Sequence, residues 1–119
     1  MKYMLLINQG DAPTPRDLEA WGKLFGVEQQ AIYADYQAIN QTPGVTSGLA
    51  LQPAETATTV RVEDGQTLTT DGPFGSVKEA LGGYLLFEAS DLDAAIELAA
   101  RIPAARLGGA VEVRPVVEG

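Results

Sequence analysis

Four side chains that can move protons or hold a charged ligand lie close together in the segment 71–84. Asp71 and Glu79 could serve as general base and general acid. Lys78 could balance a negative charge beside them, and Tyr84 could donate a hydrogen bond to a ligand. The segment therefore predicts a catalytic pair of carboxylates next to two ligand-binding residues.

The same residue types also have a structural explanation. Asp71 is followed by Gly72-Pro73, which ends a strand abruptly, and a short aspartate side chain can cap its own turn. The next residues, 76–81, would form a short helix that Gly82-Gly83 ends, with Lys78 and Glu79 in solvent. Tyr84 would then be a core residue. Both interpretations of the segment stay open.

Two arginines alternate with valines on predicted strands. Arg61 and Arg114 could supply a cationic lining for an acidic ligand. Alternatively, they are exposed sheet residues whose aliphatic stems cover apolar surface.

The chain contains neither histidine nor cysteine. Disulfides, thiolate nucleophiles, zinc-finger sites and Ser-His-Asp triads are therefore excluded. A hard metal ion held only by Asp, Glu and carbonyl oxygens stays compatible with the composition, but the acidic residues form no tight cluster of the calcium-loop kind, and the sequence assigns no metal ligands. Any general acid or base must be Asp, Glu, Lys, Tyr or water.

Composition is that of one ordinary globular domain over residues 1–119, with 45% apolar and 20% charged residues. The net charge of −8 argues against a nucleic acid or an anionic membrane as partner, because both require clustered basic residues. No apolar run approaches the roughly 20 residues of a membrane span. We expect a cytoplasmic protein.

Local patterns predict the order β-α-β, hairpin, β-α-β. Asp64-Gly65 between two β-branched segments is typical of a type I′ hairpin turn. Capping residues predict one long helix from Thr14 to the Thr42-Pro43-Gly44 stop, and a second that begins near Asp91 and ends at Pro103. The predicted strands are 2–8, 45–51 with an interruption at Gly48, 57–63, 66–70, 84–89 and 110–117.

The apolar periodicity predicts which helix faces are buried. The stripe in the long helix skips Glu28, which faces either a cavity or solvent. Gly22 and Gly26 inside this helix predict close packing on the sheet or on a partner. The stripe of the long helix is Leu18, Trp21, Phe25, Ile32, Tyr36 and Ile39, and that of the second is Leu92, Ala95, Ile96 and Ala99.

Two βαβ halves predict a ferredoxin-like α+β sandwich, with two helices on one face of an antiparallel sheet and an inserted hairpin. The other face of the sheet would be bare. An exposed apolar sheet face favours face-to-face homodimerisation.

Several separated motifs resemble one family. Asp71-Gly72-Pro73-Phe74, Lys78-Glu79 and Gly82-Gly83-Tyr84 are similar to the DGPF subgroup of the YCII-related proteins. Further agreement lies in residues 1–7, 51–61, 99–103 and 111–116. The resemblance implies a dimeric α+β barrel and, as partner, an extracytoplasmic-function sigma factor.

The resemblance also sharpens the functional question. It implies a histidine-aspartate pair as active site, but this chain has no histidine, so Asp71 is the only half that can be present. The first hypothesis is therefore a homodimeric binding or accessory module for a small acidic or aromatic molecule. The alternative is a small cofactor-free enzyme of the isomerase, lyase or dehalogenase kind, with Asp71 or Glu79 as general acid or base.

Overall fold

The computed structural model describes residues 1–14, 18–75 and 80–118, except for the side chain of Leu18. Lys78, Glu79 and the short helix predicted after Ser76 lie outside the described residues. Within them are six strands, four α-helices and one 3₁₀ turn. In chain order these are β1 (Lys2–Asn8), α1 (Leu18–Gly22), α2 (Gly26–Asn40), β2 (Val45–Ala50), the 3₁₀ turn (Ala54–Thr56), β3 (Thr58–Glu63), β4 (Gln66–Asp71), β5 (Leu81–Glu88), α3 (Leu92–Ala100), α4 (Pro103–Arg106) and β6 (Ala110–Pro115).

Four strands form one antiparallel sheet in the order β2-β5-β1-β6. Strand β1 alternates buried Tyr3, Leu5 and Ile7 with half-buried neighbours, so one face of the sheet carries the core. Helices α2, α3 and α4 pack against the strands on this face of the sheet. This is the predicted ferredoxin-like arrangement, which the structure confirms.

The opposite face, here called the outer sheet face, carries the alternate residues of the same strands. Met4 lies between Leu86 and Arg114 in the strand register, and Leu6 lies between Tyr84 and Glu112. Its apolar side chains are half-buried, although no element covers them in the described part of the chain. The outer sheet face consists of Met4, Leu6, Thr46, Tyr84, Leu86, Glu112 and Arg114.

The single long helix predicted from Thr14 is wrong. The described part contains two helices, which break at residues 23–25 because the Phe25 backbone N–H donates to the Glu28 carboxylate at 3.1 Å and starts α2 afresh. Phe25 is consequently 76% exposed instead of buried. Close packing of Gly22 and Gly26 on the sheet is also wrong, since a β-carbon at either position would meet nothing within 4 Å. Packing of these glycines on a partner stays a prediction.

The second helix begins as predicted, because the Asp91 carboxylate accepts a hydrogen bond from the Ala94 backbone N–H at 2.8 Å. Its inner face is rotated relative to the prediction. Leu98 joins Ala95 and Ala99 in the core, while Leu92 and Ile96 are half exposed. Pro103 begins the short helix α4.

Strand β5 starts earlier than predicted. Gly82-Gly83 lies inside the strand, and Gly83 is buried opposite Ile7 and Ala50. Glycine allows the neighbouring backbone of β2 to approach closely, since a β-carbon on Gly83 would lie 3.2 Å from the Leu49 carbonyl oxygen. Gly82 and Gly83, which were expected to end a helix, therefore belong to an inner strand of the sheet.

Strands β3 and β4 form a separate two-stranded sheet, here called the arm (residues 58–71). Asp64 and Gly65 both have positive φ, 51° and 76°, as a type I′ turn requires. The predicted hairpin is thus confirmed. It does not join the four-stranded sheet.

Candidate functional site

A cavity of about 290 Å³ lies between α2 and the edge of the sheet formed by β2 and β5. This volume is at the lower end of the range of small-molecule sites. Most of its lining is apolar or aromatic, and none of the described lining side chains is charged. The lining residues are Ile7, Gln9, Pro13, Thr14, Ile32, Tyr33, Tyr36, Asn40, Ser47, Gly48, Leu49, Ala50, Gly82, Gly83, Tyr84, Leu85, Pro103 and Ala104.

A β-bulge in β2 forms one wall of the cavity. Ser47 pairs with Leu85 and Ala50 pairs with Gly83, so both Gly48 and Leu49 lie opposite Tyr84. Gly48 is required here because a β-carbon would lie 2.6 Å from Cδ2 of the Tyr84 ring. The bulge therefore brings two successive residues of β2 to the cavity.

Helix α2 forms the facing wall. Ile32, Tyr36 and Asn40 repeat at the i, i+4, i+8 spacing of one helix face, and Tyr33 lies beside Ile32 at the rim. The Trp21 ring of α1 meets the Tyr33 ring edge to face, with centroids 5.4 Å apart. This contact, together with the hydrogen bond at 2.9 Å that the Gln29 amide donates to the Trp21 carbonyl, ties α1 to the rim.

One polar pair crosses the cavity wall from α2 to β2. The Ser47 hydroxyl donates to Oδ1 of Asn40 at 2.8 Å, which fixes the orientation of the Asn40 amide. The described residues offer its Nδ2 group no acceptor, so a ligand atom could accept a hydrogen bond from it. The Asn40 amide can thus orient a ligand among aromatic and aliphatic walls, alongside the polar lining residues Gln9 and Thr14.

A second cavity of about 140 Å³ adjoins the first at the end of the sheet. The two share Gln9, Thr14 and Gly82 in their linings. The smaller one continues along Leu51 and the 3₁₀ turn Ala54–Thr56. A ligand with a short substituent could extend from one into the other.

The candidate residues from the sequence do not meet at this cavity. Of those described, only Tyr84 contributes to the lining, and the strand alternation places its side chain on the outer sheet face. Asp71 is exposed at the end of the arm, and Arg61 lies with its guanidinium carbon 5.0 Å from the centre of the Phe74 ring. Arg114 pairs with Glu112 at 3.9 Å on the outer sheet face. Their functional roles stay predictions.

The residues that form the cavity were missed, although the sequence held a signal for them. Tyr33, Tyr36 and Asn40 lie on the helix that was predicted to cover the sheet. A polar residue one turn after a half-buried aromatic could have indicated a lined space instead of a packed core. Ser47 and Leu49 flank Gly48, the interruption already visible in the strand.

Across residues 1–14, 18–75 and 80–118, no three carboxylates come together in a way that could hold a metal ion. Within those ranges, no helix has the length and apolar character that crossing a bilayer requires.

Sequence comparison places the chain among known proteins. The model of the YCII-related domain matches residues 1–118. An uncharacterised protein of Rhizobium meliloti (strain 1021) is 32% identical over 122 residues, which cover 98% of this chain and 92% of the relative. A family match over nearly the whole chain and a relative of nearly the same length agree with the ferredoxin-like sheet described above. The chain belongs to the YCII-related family.

Proposed function

We propose that this protein binds a small, uncharged, ring-containing molecule in the cavity between α2 and the β2-β5 edge, and that it does so as a cytoplasmic homodimer. The observation that carries the proposal is the cavity of about 290 Å³ with its aromatic and aliphatic lining. Such a lining gains free energy by removing apolar ligand surface from water, about 25 cal/mol per Å².

The charge of the ligand is inferred from the described lining residues, none of which is charged. An acidic ligand would need a cation, yet Arg61 and Arg114 lie on the arm and on the outer sheet face. Desolvating a carboxylate against an uncharged wall is costly without such a partner. Of the two ligand classes expected from the sequence, the aromatic one is therefore favoured over the acidic one.

The ligand class can be tested with a matched pair of probes. 2-Naphthamide and 2-naphthoate have nearly the same shape, but only the second is anionic. The chain has one tryptophan, whose indole N–H gives one resolved NMR signal at the rim of the cavity. We expect 2-naphthamide to shift the signals of Trp21 and Gly48 in a saturable way, and 2-naphthoate to bind at least tenfold more weakly. Equal or tighter binding of the naphthoate would contradict the uncharged ligand.

The polar pair provides a second test. Asn40→Leu removes the amide donor at similar size, and we expect it to weaken 2-naphthamide binding roughly three- to tenfold, the worth of one neutral hydrogen bond. Gln37→Leu is the matched control, because Gln37 lies on the same helix, is exposed and does not line the cavity. Equal affinities of the two variants would place the probe elsewhere.

The alternative function is a cofactor-free isomerase, lyase or dehalogenase with Asp71 or Glu79 as general acid or base. Its support is that the Asp71 carboxylate is exposed, while two contacts that do not involve this side chain hold the turn. The Gly72 backbone N–H donates to the Ala57 carbonyl at 2.7 Å, and the Thr59 hydroxyl donates to the Gly72 carbonyl at 2.8 Å.

Asp71→Asn tests this alternative. We expect the variant to keep its free energy of unfolding within about 0.5 kcal/mol, as substitutions at exposed sites usually do. It should also bind 2-naphthamide with unchanged affinity. Loss of turnover on a substrate of the wild-type protein, with the fold intact, would support the enzyme.

The homodimer is proposed from the outer sheet face. Met4, Leu6 and Leu86 form an apolar patch on it, and a sheet face of this kind is normally covered. Leu86→Glu should turn the dimer into a monomer in sedimentation velocity. Ile96→Lys changes an exposed apolar residue of α3 on the helix side and should leave the dimer intact. Dissociation by both variants would point to general destabilisation.

A further partner is proposed from the resemblance to the DGPF subgroup of the family, which the motif at Asp71 fits. An extracytoplasmic-function sigma factor encoded next to this protein should bind it in a sedimentation experiment with both purified proteins. Independent sedimentation of the two at micromolar concentration would argue against this partner.

A further inference from the structure

We propose that the arm docks on a second copy of this chain through one of its two faces. The inference rests on the proposed homodimer and adds a second contact to it. In the described part of the chain the arm forms its own sheet, and no other strand or helix makes more than a marginal contact with it. Nearly all of its residues are exposed.

The two faces of the arm differ in chemistry. In the strand register, Val60 lies opposite Thr69 and Val62 opposite Thr67, so these four share a face with Thr58 and Asp71. We call this the valine face. Val60 and Val62 on it are 59% and 66% exposed. Apart from Asp71 at its base, the valine face is uncharged, which is typical of a surface that contacts protein.

The other face carries Arg61 and Glu63 opposite Leu68 and Gln66. It already has a partner in its own chain, because the Arg61 guanidinium lies 5.0 Å from the centre of the Phe74 ring. Because its charged residues are well solvated, this face is stable in contact with water. The apolar valines on the other side are not, so the valine face is the one that would gain from a partner.

An arm with so few contacts to the rest of its chain has two physical problems. An isolated two-stranded hairpin is at best marginally stable in water. Both of its edges also offer unpaired backbone groups to other chains. Docking on a protein surface solves both problems.

The molecular dimensions show that this arm extends away from the body. The radius of gyration is 16.0 Å, against about 13.5 Å for a compact chain of this length. The molecule measures 48 × 44 × 18 Å, so it is flat as well as extended. A protruding arm of this kind is suited to reach a neighbouring molecule.

A second copy fits as the neighbour because of the area that a stable dimer needs. Two outer sheet faces of four strands would bury about 800 Å², below the roughly 1,200–2,000 Å² of specific interfaces. Two arms and the surfaces that they cover add about as much again, which brings the total to about 1,600 Å². The arm thus supplies the area that the sheet face lacks.

The absence of cysteine from the chain allows a clean test. Val62→Cys places one thiol on the valine face, and Gln66→Cys places one on the opposite face of the same arm. Each variant is labelled with benzophenone maleimide and mixed with unlabelled ¹⁵N protein until subunits have exchanged. After irradiation, mass spectrometry distinguishes cross-links between chains from those within one chain.

We expect the label at position 62 to form ¹⁴N–¹⁵N cross-links at least fivefold more often than the label at position 66. Cross-links at position 62 that stay within one chain, from a protein that sediments as a dimer, would overturn the arm inference alone. A wild-type protein that is monomeric at all concentrations would overturn the homodimer and, with it, the arm inference.

A pair of substitutions gives an independent measurement. Val60→Thr combined with Val62→Thr keeps β-branched residues in the strand but removes apolar surface. We expect the dimer dissociation constant to rise at least tenfold in equilibrium sedimentation. Glu63→Thr, on the opposite face, should change it less than twofold. Equal dissociation constants for the double variant and the wild type would also overturn the inference.

Discussion

Gly48 is the residue at which the sheet and the cavity meet. A β-carbon there would lie 2.2 Å from the Tyr84 carbonyl oxygen and 2.6 Å from its ring, so neither backbone nor side chain leaves room. Gly48→Ala should cost about 1–3 kcal/mol of unfolding free energy, the usual cost of overpacking. Urea denaturation measures this cost.

Gly26→Ala is the matched control for this substitution. Gly26 is the first residue of α2, and a β-carbon there would meet no other atom within 4 Å. Alanine should leave stability unchanged or raise it by up to about 1 kcal/mol, because it restricts the unfolded chain. A larger loss at Gly26 than at Gly48 would contradict the packing described for both.

The residues of the candidate site were harder to predict from the sequence than features that depend on neighbouring residues alone. Asp71 and the turn that follows it could be read from the sequence because Gly-Pro and Asp act within a few residues. The cavity depends on Tyr36, Asn40 and Ser47, which are brought together by the packing of a helix on a strand edge. Such long-range placement leaves no short motif to recognise.

At the scale of elements, α2 is packed unevenly on the sheet. Ile39 is 1% exposed and belongs to the core, whereas Ile32 is buried but borders the cavity. Ile39→Ala should therefore cost about 2–4 kcal/mol, and Ile32→Ala about half as much, because fewer packed atoms surround Ile32. Thermal or urea unfolding compares the two. Equal costs would mean that the cavity closes in solution.

Helix α3 depends on its cap. Asp91→Ala removes the side-chain acceptor for the Ala94 N–H and should cost about 1 kcal/mol. Asp91→Asn retains a hydrogen-bond acceptor and should lower the free energy of unfolding by only a few tenths of a kcal/mol. If both variants lose the same stability, the charge of Asp91, and not its hydrogen bond, would be the stabilising feature.

Most elements were predictable because their signals are local. The arm follows from Asp64-Gly65 between β-branched residues, and α3 follows from Asp91. The prediction of the first helix failed because the apolar periodicity continues across the break. One contact between the Glu28 side chain and the Phe25 backbone makes that break. The predicted start of β5 was wrong because glycines can either end a helix or lie within a strand. Only the tertiary neighbours of Gly82-Gly83 determine which of the two occurs.

At the scale of the whole molecule, charge opposes association. Each chain carries a net charge of −8, so two chains repel one another. Raising NaCl from about 20 mM to 200 mM shortens the screening length severalfold. We expect the proposed dimer to tighten a fewfold over this range in sedimentation equilibrium. Weaker association at higher salt would mean that ion pairs hold the interface together.

The uneven packing of the helices gives the molecule a stiff side and a pliant side. Helices α3 and α4 and the Ile102 cap between them contribute Ala95, Leu98, Ile102 and Ala104 to the core, whereas most residues of α2 are exposed. The cavity lies on the pliant side. Small adjustments of α2 would cost little, so the shape of the walls would tolerate a range of related rings. If the proposed function holds, discrimination among these rings would depend on the Asn40-Ser47 pair, and a change at either residue would alter which compounds bind.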